Sequence, residues 1–493
     1  MSRAERTVPR PLSAPRPHLA FSERKLLLRS GDCVALILAV GAAMVLWLAL
    51  DTQSFSAARM RDQWPWIALL FGVWWVWLEL SVMYDLRRAV RAWRTVRRVV
   101  AGVLINFIAY LLLFFVTSRT AVTGGLPDLL GNYDSSPPLR FAPVVAILVS
   151  GGLLLALRLA YIAVLAGPHM RRRVLILGAG AAGQMICRTL HKNTGRYFTV
   201  VGFVDDRLDA QASTRAPVLG THAELAQIVF DNRVDELVLA TRAEVDGELF
   251  QAMMDCYAHG VTITPMPLLY EQITGRIAVE HAADQWYVAL PFQPQETRAA
   301  QALLKRMLDL VLGLLMAGGM ALLLPLIALA IRLDSRGPVL YTQPRLGRHG
   351  RVFTVYKFRS MVADAEALSG PRWATRDDPR ITRVGLLLRK TRIDEWPQIW
   401  NVLRGEMSLV GPRPERPELV GELQAQIPFY RTRLAVLPGL TGWAQVNLGY
   451  SDSIDGTLAK LQYDLYYIKH QSLLFDLSIL LRTVMVVLRM QGR

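Results

Sequence analysis

The chain has 493 residues, room for several domains, and is 52% hydrophobic against 19% charged, with a mean hydropathy of +0.27. That balance excludes an ordinary soluble enzyme, and three cysteines scattered at 33, 187 and 256 exclude a disulfide scaffold or a Cys-based metal centre. A net charge of +16 invites a nucleic-acid partner, but the basic residues flank apolar spans and no zinc knuckle or aromatic-interleaved RNA motif accompanies them. The expected partners are membrane lipid and phosphate-bearing substrates, with no nucleic acid.

Residues 1–30 form a basic tail with seven Lys or Arg, and its Pro/Arg-rich stretch 8–18 reads as disordered. Residues 31–168 read as a membrane bundle of four helices. Spans 33–50 and 99–117 carry no charge, 64–83 carries only Glu79, and 141–167 carries only Arg158. Each is long enough to cross ~30 Å of hydrocarbon. Basic clusters lie in the tail, at 85–98 after the second span and at 171–173 after the fourth, so both ends of the bundle are expected in the cytoplasm. No small-residue cleavage site follows a short apolar core, so no removable signal peptide is expected. Glu79 and Arg158 either snorkel separately to the interface or pair across the bundle.

Residues 169–298 read as a Rossmann-like domain and linker. An apolar strand at 174–177 runs into Gly178, Gly180 and Gly183, then a helix, then a second strand ending at Asp205 and Asp206. Strand, glycine turn, helix, strand and acid in that order make a dinucleotide-binding unit, so Gly178, Gly180, Gly183 and Asp205 are candidate nucleotide contacts. The same glycines also serve merely to pack helix on strand. Residues 233–240 add another buried parallel strand. A membrane-tethered nucleotide-sugar dehydratase or epimerase would need a tyrosine acid/base with a lysine four residues later. None of the fifteen tyrosines has one. No NAD(P) chemistry is expected, and the domain reads as a regulatory or oligomerising module, with self-association of the chain as the corollary.

Residues 299–493 begin with an apolar core from about Val311 to Ile331, with Lys305 and Arg306 before it and Arg332 and Arg336 after it. Basic flanks at both ends and Pro325 within the run predict a re-entrant helix over about 307–333 that enters the membrane, bends and returns. A buried soluble-core helix is the alternative.

The stretch TRIDEWPQIWNVLRG, residues 391–405, sets Asp394 and Glu395 side by side after Arg389, Lys390 and Arg392. Pro397 suits a first helical turn, which predicts a helix from about Asp394, with Asp394 as N-cap and Gly405 as the stop. A cap and a dipole-friendly glutamate would explain both acids without chemistry. Lys357 and Arg359 in YKFRSM alternate with apolar residues, which on a strand puts both on one face. In GPRP, two prolines stiffen the turn that presents Arg413, whose fork suits a phosphate.

These runs, with GPVLYTQPRLGRHGRVFTVYKFRSMVADAE before them and PGLTGWAQVN and YDLYYIK after, closely resemble the bacterial sugar transferases. These are polyprenyl-phosphate hexose-1-phosphate transferases of the monotopic phosphoglycosyl transferase superfamily. The resemblance covers about residues 302–489, with the motifs in order at the family's spacing. The four spans and the Rossmann-like domain resemble the family's long form. The fold class expected is a membrane α-helical bundle, an α/β Rossmann-like domain and an α/β-containing monotopic transferase domain.

The resemblance implies transfer of a sugar phosphate from a UDP-sugar to undecaprenyl phosphate with release of UMP, the first membrane step of exopolysaccharide, capsule or O-antigen assembly. It places the protein in the bacterial inner membrane with its catalytic domain in the cytoplasm. It assigns Asp394 as nucleophile for a covalent phosphosugar; physics alone does not choose Asp394 over Glu395, which becomes a metal ligand or helper acid. Lys357, Arg359 and Arg413 are the candidate phosphate ligands. The family depends on Mg²⁺, and Glu395 and Asp464 are the candidates near it. Family members usually carry a serine before the mid-helix proline, whereas Leu324 stands here. Residues 473–490 are amphipathic enough to lie on the membrane surface. A non-catalytic scaffold of polysaccharide export with the same anchor is the rival; it has no reason to keep the full set of acids and cations.

Overall fold

The computed structural model describes residues 21–50, 64–81, 83–84, 92–123, 137–165, 167, 171–194, 197–206, 216–241, 246–281, 295–362, 378–448 and 453–488. The tail stretch 8–18, basic residues 85–91 and the last residues of the C-terminal segment lie outside these. The chain divides into two compact units between Met266 and Pro267.

The first unit opens with helices α1 (Phe21–Leu50), α2 (Trp64–Leu80), α3 (Ala92–Thr123) and α4 (Pro137–Leu165). Apolar stretches Glu23–Leu46, Ala92–Leu112 and Ala142–Val164 are long enough to cross a membrane, and α2 is a shorter apolar helix. Close packing uses small residues, as in other membrane bundles. A β-carbon on Gly102 would lie 2.5 Å from the Trp74 ring. The two intramembrane charges do not pair with each other. Arg158 donates to Asp32, both nearly fully buried, and Glu79 accepts from Arg29 at 2.7 Å. Each is neutralised by a partner on α1, which removes the need for a direct Glu79–Arg158 bond.

The rest of this unit is a five-stranded, all-parallel sheet of β1 (Arg172–Leu177), β2 (Phe198–Val204), β3 (Val218–Gly220), β4 (Glu236–Leu239) and β5 (Thr262–Pro265), ordered β3-β2-β1-β4-β5. Crossovers run through α5 (Ala181–Thr194), α6 (Leu225–Asp231) and α7 (Gly247–Ala258). The central strands are mostly buried, with Leu175, Leu177, Val204 and Leu237 in one core with helix residues Leu249 and Met253. Covered faces on both sides explain why these strands read as continuous apolar runs.

The second unit comprises α8 (Met266–Thr274), α9 (Gln295–Asp334), the antiparallel pair β6 (Leu340–Leu346) and β7 (Val352–Phe358), α10 (Arg383–Lys390), and a 3-10 helix (Ile393–Gln398) running into α11 (Ile399–Arg404). β8 (Ser408–Val410) pairs in parallel with β9 (Gly439–Thr441), and α12 (Pro417–Gln426), α13 (Trp443–Asn447), α14 (Ile454–Lys469) and α15 (Leu473–Leu488) complete it. Residues 267–281, read from sequence with the Rossmann-like segment, belong to this unit's core. Ile277 and Val279 pack with Val420, Leu423 and Leu461, and Glu271 binds Lys469 at 2.9 Å.

Helix α9 runs uninterrupted through Pro325. Its first turns are bound to the α/β body: Lys305 Nζ to Asp476 at 2.6 Å, Arg306 to the carbonyls of Val402 and Leu403, and Asp309 accepting from the Leu409 amide. Its last turn is bound to the same body, with Asp334 accepting from the Val384 amide at 2.9 Å and Ile331 packed on Phe358 and Leu388. Between these anchors Leu314, Leu315, Leu322 and Leu326 are exposed.

Candidate active site

The acid pair lies in the 3-10 helix between α10 and α11. Arg392, not Asp394, holds the cap position, in a left-handed conformation at φ 56°, and no side chain caps the turn. The N-cap role read for Asp394 is thus corrected: the cap lies two residues earlier, and both carboxylates fall inside the 3-10 turn, where they are buried. Gly405 does terminate α11, at φ 83°.

The two acids have opposite surroundings. Glu395 is gripped from three elements. Lys357 on β7 donates to Oε1 at 3.0 Å, Arg413 forks onto both oxygens, with 3.3 Å to Oε2, and Arg392 lies 3.9 Å from Oε2. Although burial opposes ionisation, the Arg413 and Lys357 charges hold this carboxyl well below its ordinary range. Asp394 accepts no hydrogen bond and forms no ion pair among the described residues. Burial and the adjacent Glu395 charge push its pKa up to about 6, against Lys357, Arg389 and Arg413 acting through space. At neutral pH it is still mostly ionised. The Asp394 oxygens are thus left without a hydrogen-bond partner in a field of fixed cations, while the Glu395 oxygens are engaged by Lys357 and Arg413.

The turn presenting Arg413 leaves no room for side chains: a β-carbon on Gly411 would sit 2.4 Å from the Leu437 carbonyl. The structure does not bring Arg359 to the acids. β7 ends at Phe358, so strand alternation no longer governs the next residue. The Arg359 guanidinium instead donates to the carbonyls of Ser335 at 2.6 Å and Arg336 at 3.1 Å, capping the end of α9. Asp464 accepts from Arg433 at 2.8 Å. With Glu395 spent on Lys357 and Arg413, and Asp464 on Arg433, this pair does not fit a shared Mg²⁺. Among the described residues no group of three His, Cys, Asp or Glu lies close enough to hold an ion.

In the parallel α/β domain, Gly178 adopts φ +103°, and a β-carbon on Gly183 would lie 2.0 Å from the Gly178 carbonyl, whereas Gly180 faces open space. Asp205, a candidate nucleotide contact from sequence, accepts from the Ala179 amide of the glycine turn at 2.7 Å and is 7% exposed.

The family model described as bacterial sugar transferase matches residues 300–490, the span that holds this acid pair, and one described as a CoA-binding domain matches residues 141–267. The UDP-glucose:undecaprenyl-phosphate glucose-1-phosphate transferase of Escherichia coli K12 is 33% identical over 64% of this chain and 68% of its own length. The chain belongs to the bacterial sugar transferase family. The UDP-N-acetylgalactosamine-undecaprenyl-phosphate N-acetylgalactosaminephosphotransferase of Aeromonas hydrophila is 37% identical over 53% of this chain, and the match spans 58% of that relative's length. The exopolysaccharide production protein PSS of Rhizobium leguminosarum is 42% identical over 37% of this chain and 93% of its own length. In this bacterial sugar transferase, sequence reading missed Arg433, Lys305, Tyr467 and Asp476. They come from four separate stretches of the chain with no shared spacing, and only the fold brings them behind the Arg413 turn.

Proposed function

We propose that the protein transfers a sugar-1-phosphate from a UDP-sugar to undecaprenyl phosphate through an aspartyl-phosphosugar at Asp394. The observation that carries this reading is the contrast within the pair, a buried unpartnered Asp394 beside a cation-bound Glu395. An Asp394 oxygen attacks the sugar-bearing phosphorus, the bond from that phosphorus to the bridging oxygen breaks, and UMP leaves with that oxygen and its electron pair. An oxygen of undecaprenyl phosphate then attacks the same phosphorus and releases the Asp394 carboxylate. Lys357 and Arg413 offset charge on the diphosphate and leaving group, which is worth more in a preorganised site than in water. Covalent catalysis divides one anion–anion displacement into two steps. No step is assigned to a metal ion.

The same reading sets the domain on the cytoplasmic face of the inner membrane, with α9 re-entrant. A straight crossing would separate its ends by ~30 Å of hydrocarbon. Support comes from the anchors: Lys305 at one end and Asp334 at the other bind one α/β body. Cysteines placed at residues 302 and 340 of an otherwise cysteine-free variant should both resist a periplasmic thiol reagent; labelling of only one would mean a true crossing. The parallel strand order supports a Rossmann-like domain, and the Asp205–Ala179 closure of its turn supports a packing role for the glycines. The test of the activity is to incubate membranes holding the protein with undecaprenyl phosphate and a panel of UDP-sugars. UMP release with at least one sugar is expected, and none with any would defeat the proposal.

A further inference from the structure

The turn that carries Arg413 is held from behind. Val410 O accepts from Lys305 Nζ at 3.0 Å and from the Tyr467 hydroxyl at 3.1 Å, and Pro414 O accepts from Arg345 at 3.2 Å. The carbonyl of Arg413 itself accepts from Arg433 Nη2 at 2.9 Å. Arg433 is 6% exposed and makes two further bonds, to the Tyr430 hydroxyl at 2.9 Å and to Asp464 Oδ2 at 2.8 Å. A buried guanidinium is tolerated only when its charge and donors are matched. Asp464, 2% exposed, supplies the hydrogen-bonded counter-charge from α14, and Glu415 Oε1 adds a second carboxylate farther off, 3.7 Å from Arg433 Nη1.

We propose that Arg433 and Asp464 are a pair of positioning residues that lock the backbone of Arg413, so that its guanidinium can grip Glu395 and the incoming diphosphate. The role of Arg413 rests on the function proposed above; the lock itself does not. Asp464 then serves the site as the counter-ion of an arginine, and its carboxylate is committed before any ion arrives. One guanidinium reaching three segments explains the choice of Arg. A lysine has one nitrogen and no planar fork, so it would keep the ion pair and lose the simultaneous bonds to Tyr430 and Arg413. Without Asp464, the buried Arg433 would keep as counter-charge only the longer contact to Glu415 Oε1 at 3.7 Å and would be drawn toward it, away from the Arg413 carbonyl.

The test uses the full chain in lipid nanodiscs, as wild type, Asp464→Asn and Arg433→Lys, with two readouts. Amide hydrogen exchange over residues 408–416 should speed up at least tenfold in both variants, with the parallel α/β domain unchanged. In UMP release, the KM for the UDP-sugar should rise about tenfold more than kcat falls. Arg413→Lys combined with Asp464→Asn should be no worse than Arg413→Lys alone, because Asp464 acts through Arg413. Unchanged exchange at 408–416 in both variants would overturn the proposal, as would multiplying losses in the combined variant. So would a shifted Mg²⁺ half-saturation with exchange unchanged, which would make Asp464 a metal ligand. Should Asp464→Asn fail to fold, Arg433→Lys alone decides. A wild type that releases no UMP would refute the transferase reading, while the exchange readout would still judge the lock.

Discussion

Replacing Asp394 by asparagine should make the protein more stable while abolishing its chemistry. Burial first, and the Glu395 charge second, raise the Asp394 carboxyl from its usual 3.8 to about 6. A shift of roughly two units, at 1.36 kcal/mol each, is about 3 kcal/mol of preference for the protonated form in the folded chain. In the unfolded chain this carboxyl ionises near pH 4, and in the folded chain near 6, so the folded state binds more protons in between. Stability therefore falls as pH rises through that window, and the cost is fully present above about pH 7. Asparagine carries no charge and escapes it. Thermal unfolding of detergent-held protein, followed by tryptophan fluorescence, should show Asp394→Asn melting higher than wild type at pH 8. For a unit of this size about 3 kcal/mol corresponds to roughly 6–12 °C. At pH 4 the two should melt together. A variant less stable than wild type at pH 8, or a difference that does not change with pH, would refute the reasoning.

Because the nucleophile must be ionised, the rate of UMP release should fall about tenfold per pH unit below about pH 6; a flat profile down to pH 5 would contradict the raised Asp394 carboxyl. Glu395→Gln removes the charge that holds Lys357 and Arg413, at a cost of up to about 3–5 kcal/mol for breaking a buried pair, less here because the Arg413 side chain is 40% exposed. Its turnover should drop severely while a labelled adduct remains trappable. Arg359→Ala should lower the melting temperature by fraying the end of α9 and leave the KM for UDP-sugar unchanged; a raised KM would return Arg359 to the phosphate site. Gly183→Val, which collides with the Gly178 carbonyl, should make the parallel α/β domain protease-sensitive, whereas unchanged digestion would mean that the close approach is dispensable.

What could be read from sequence was what period and punctuation encode. The apolar runs announced the bundle helices and α9, and the glycine turn between two strands announced the parallel sheet. Gly405 marked the end of α11, and motif order led to Asp394, Glu395, Lys357 and Arg413. What failed depended on single-residue geometry. Arg359 lies one residue beyond a strand end that alternation does not reveal, so its assignment to the Lys357 face did not survive. Asp394 looked like an N-cap because the sequence does not show that Arg392 adopts a left-handed conformation. Glu79 and Arg158 were the charges visible inside spans, but their partners Arg29 and Asp32 sit at the edge of the first span, and only packing selects them. Lys305 and Arg306 counted as free basic flanks, yet both are bonded within the protein. The case for a re-entrant α9 now rests more on its two anchored ends than on its charge.

The central claim is that Asp394 becomes covalently attached to the sugar phosphate. The most direct measurement is to incubate wild type and Asp394→Asn with UDP-sugar labelled in the sugar-bearing phosphate, omit undecaprenyl phosphate, quench with acid and count label retained on the protein. Wild type should hold label released by added undecaprenyl phosphate, and Asp394→Asn should hold none while remaining folded in the membrane. Folded Asp394→Asn that still accumulates covalent sugar phosphate would contradict the account.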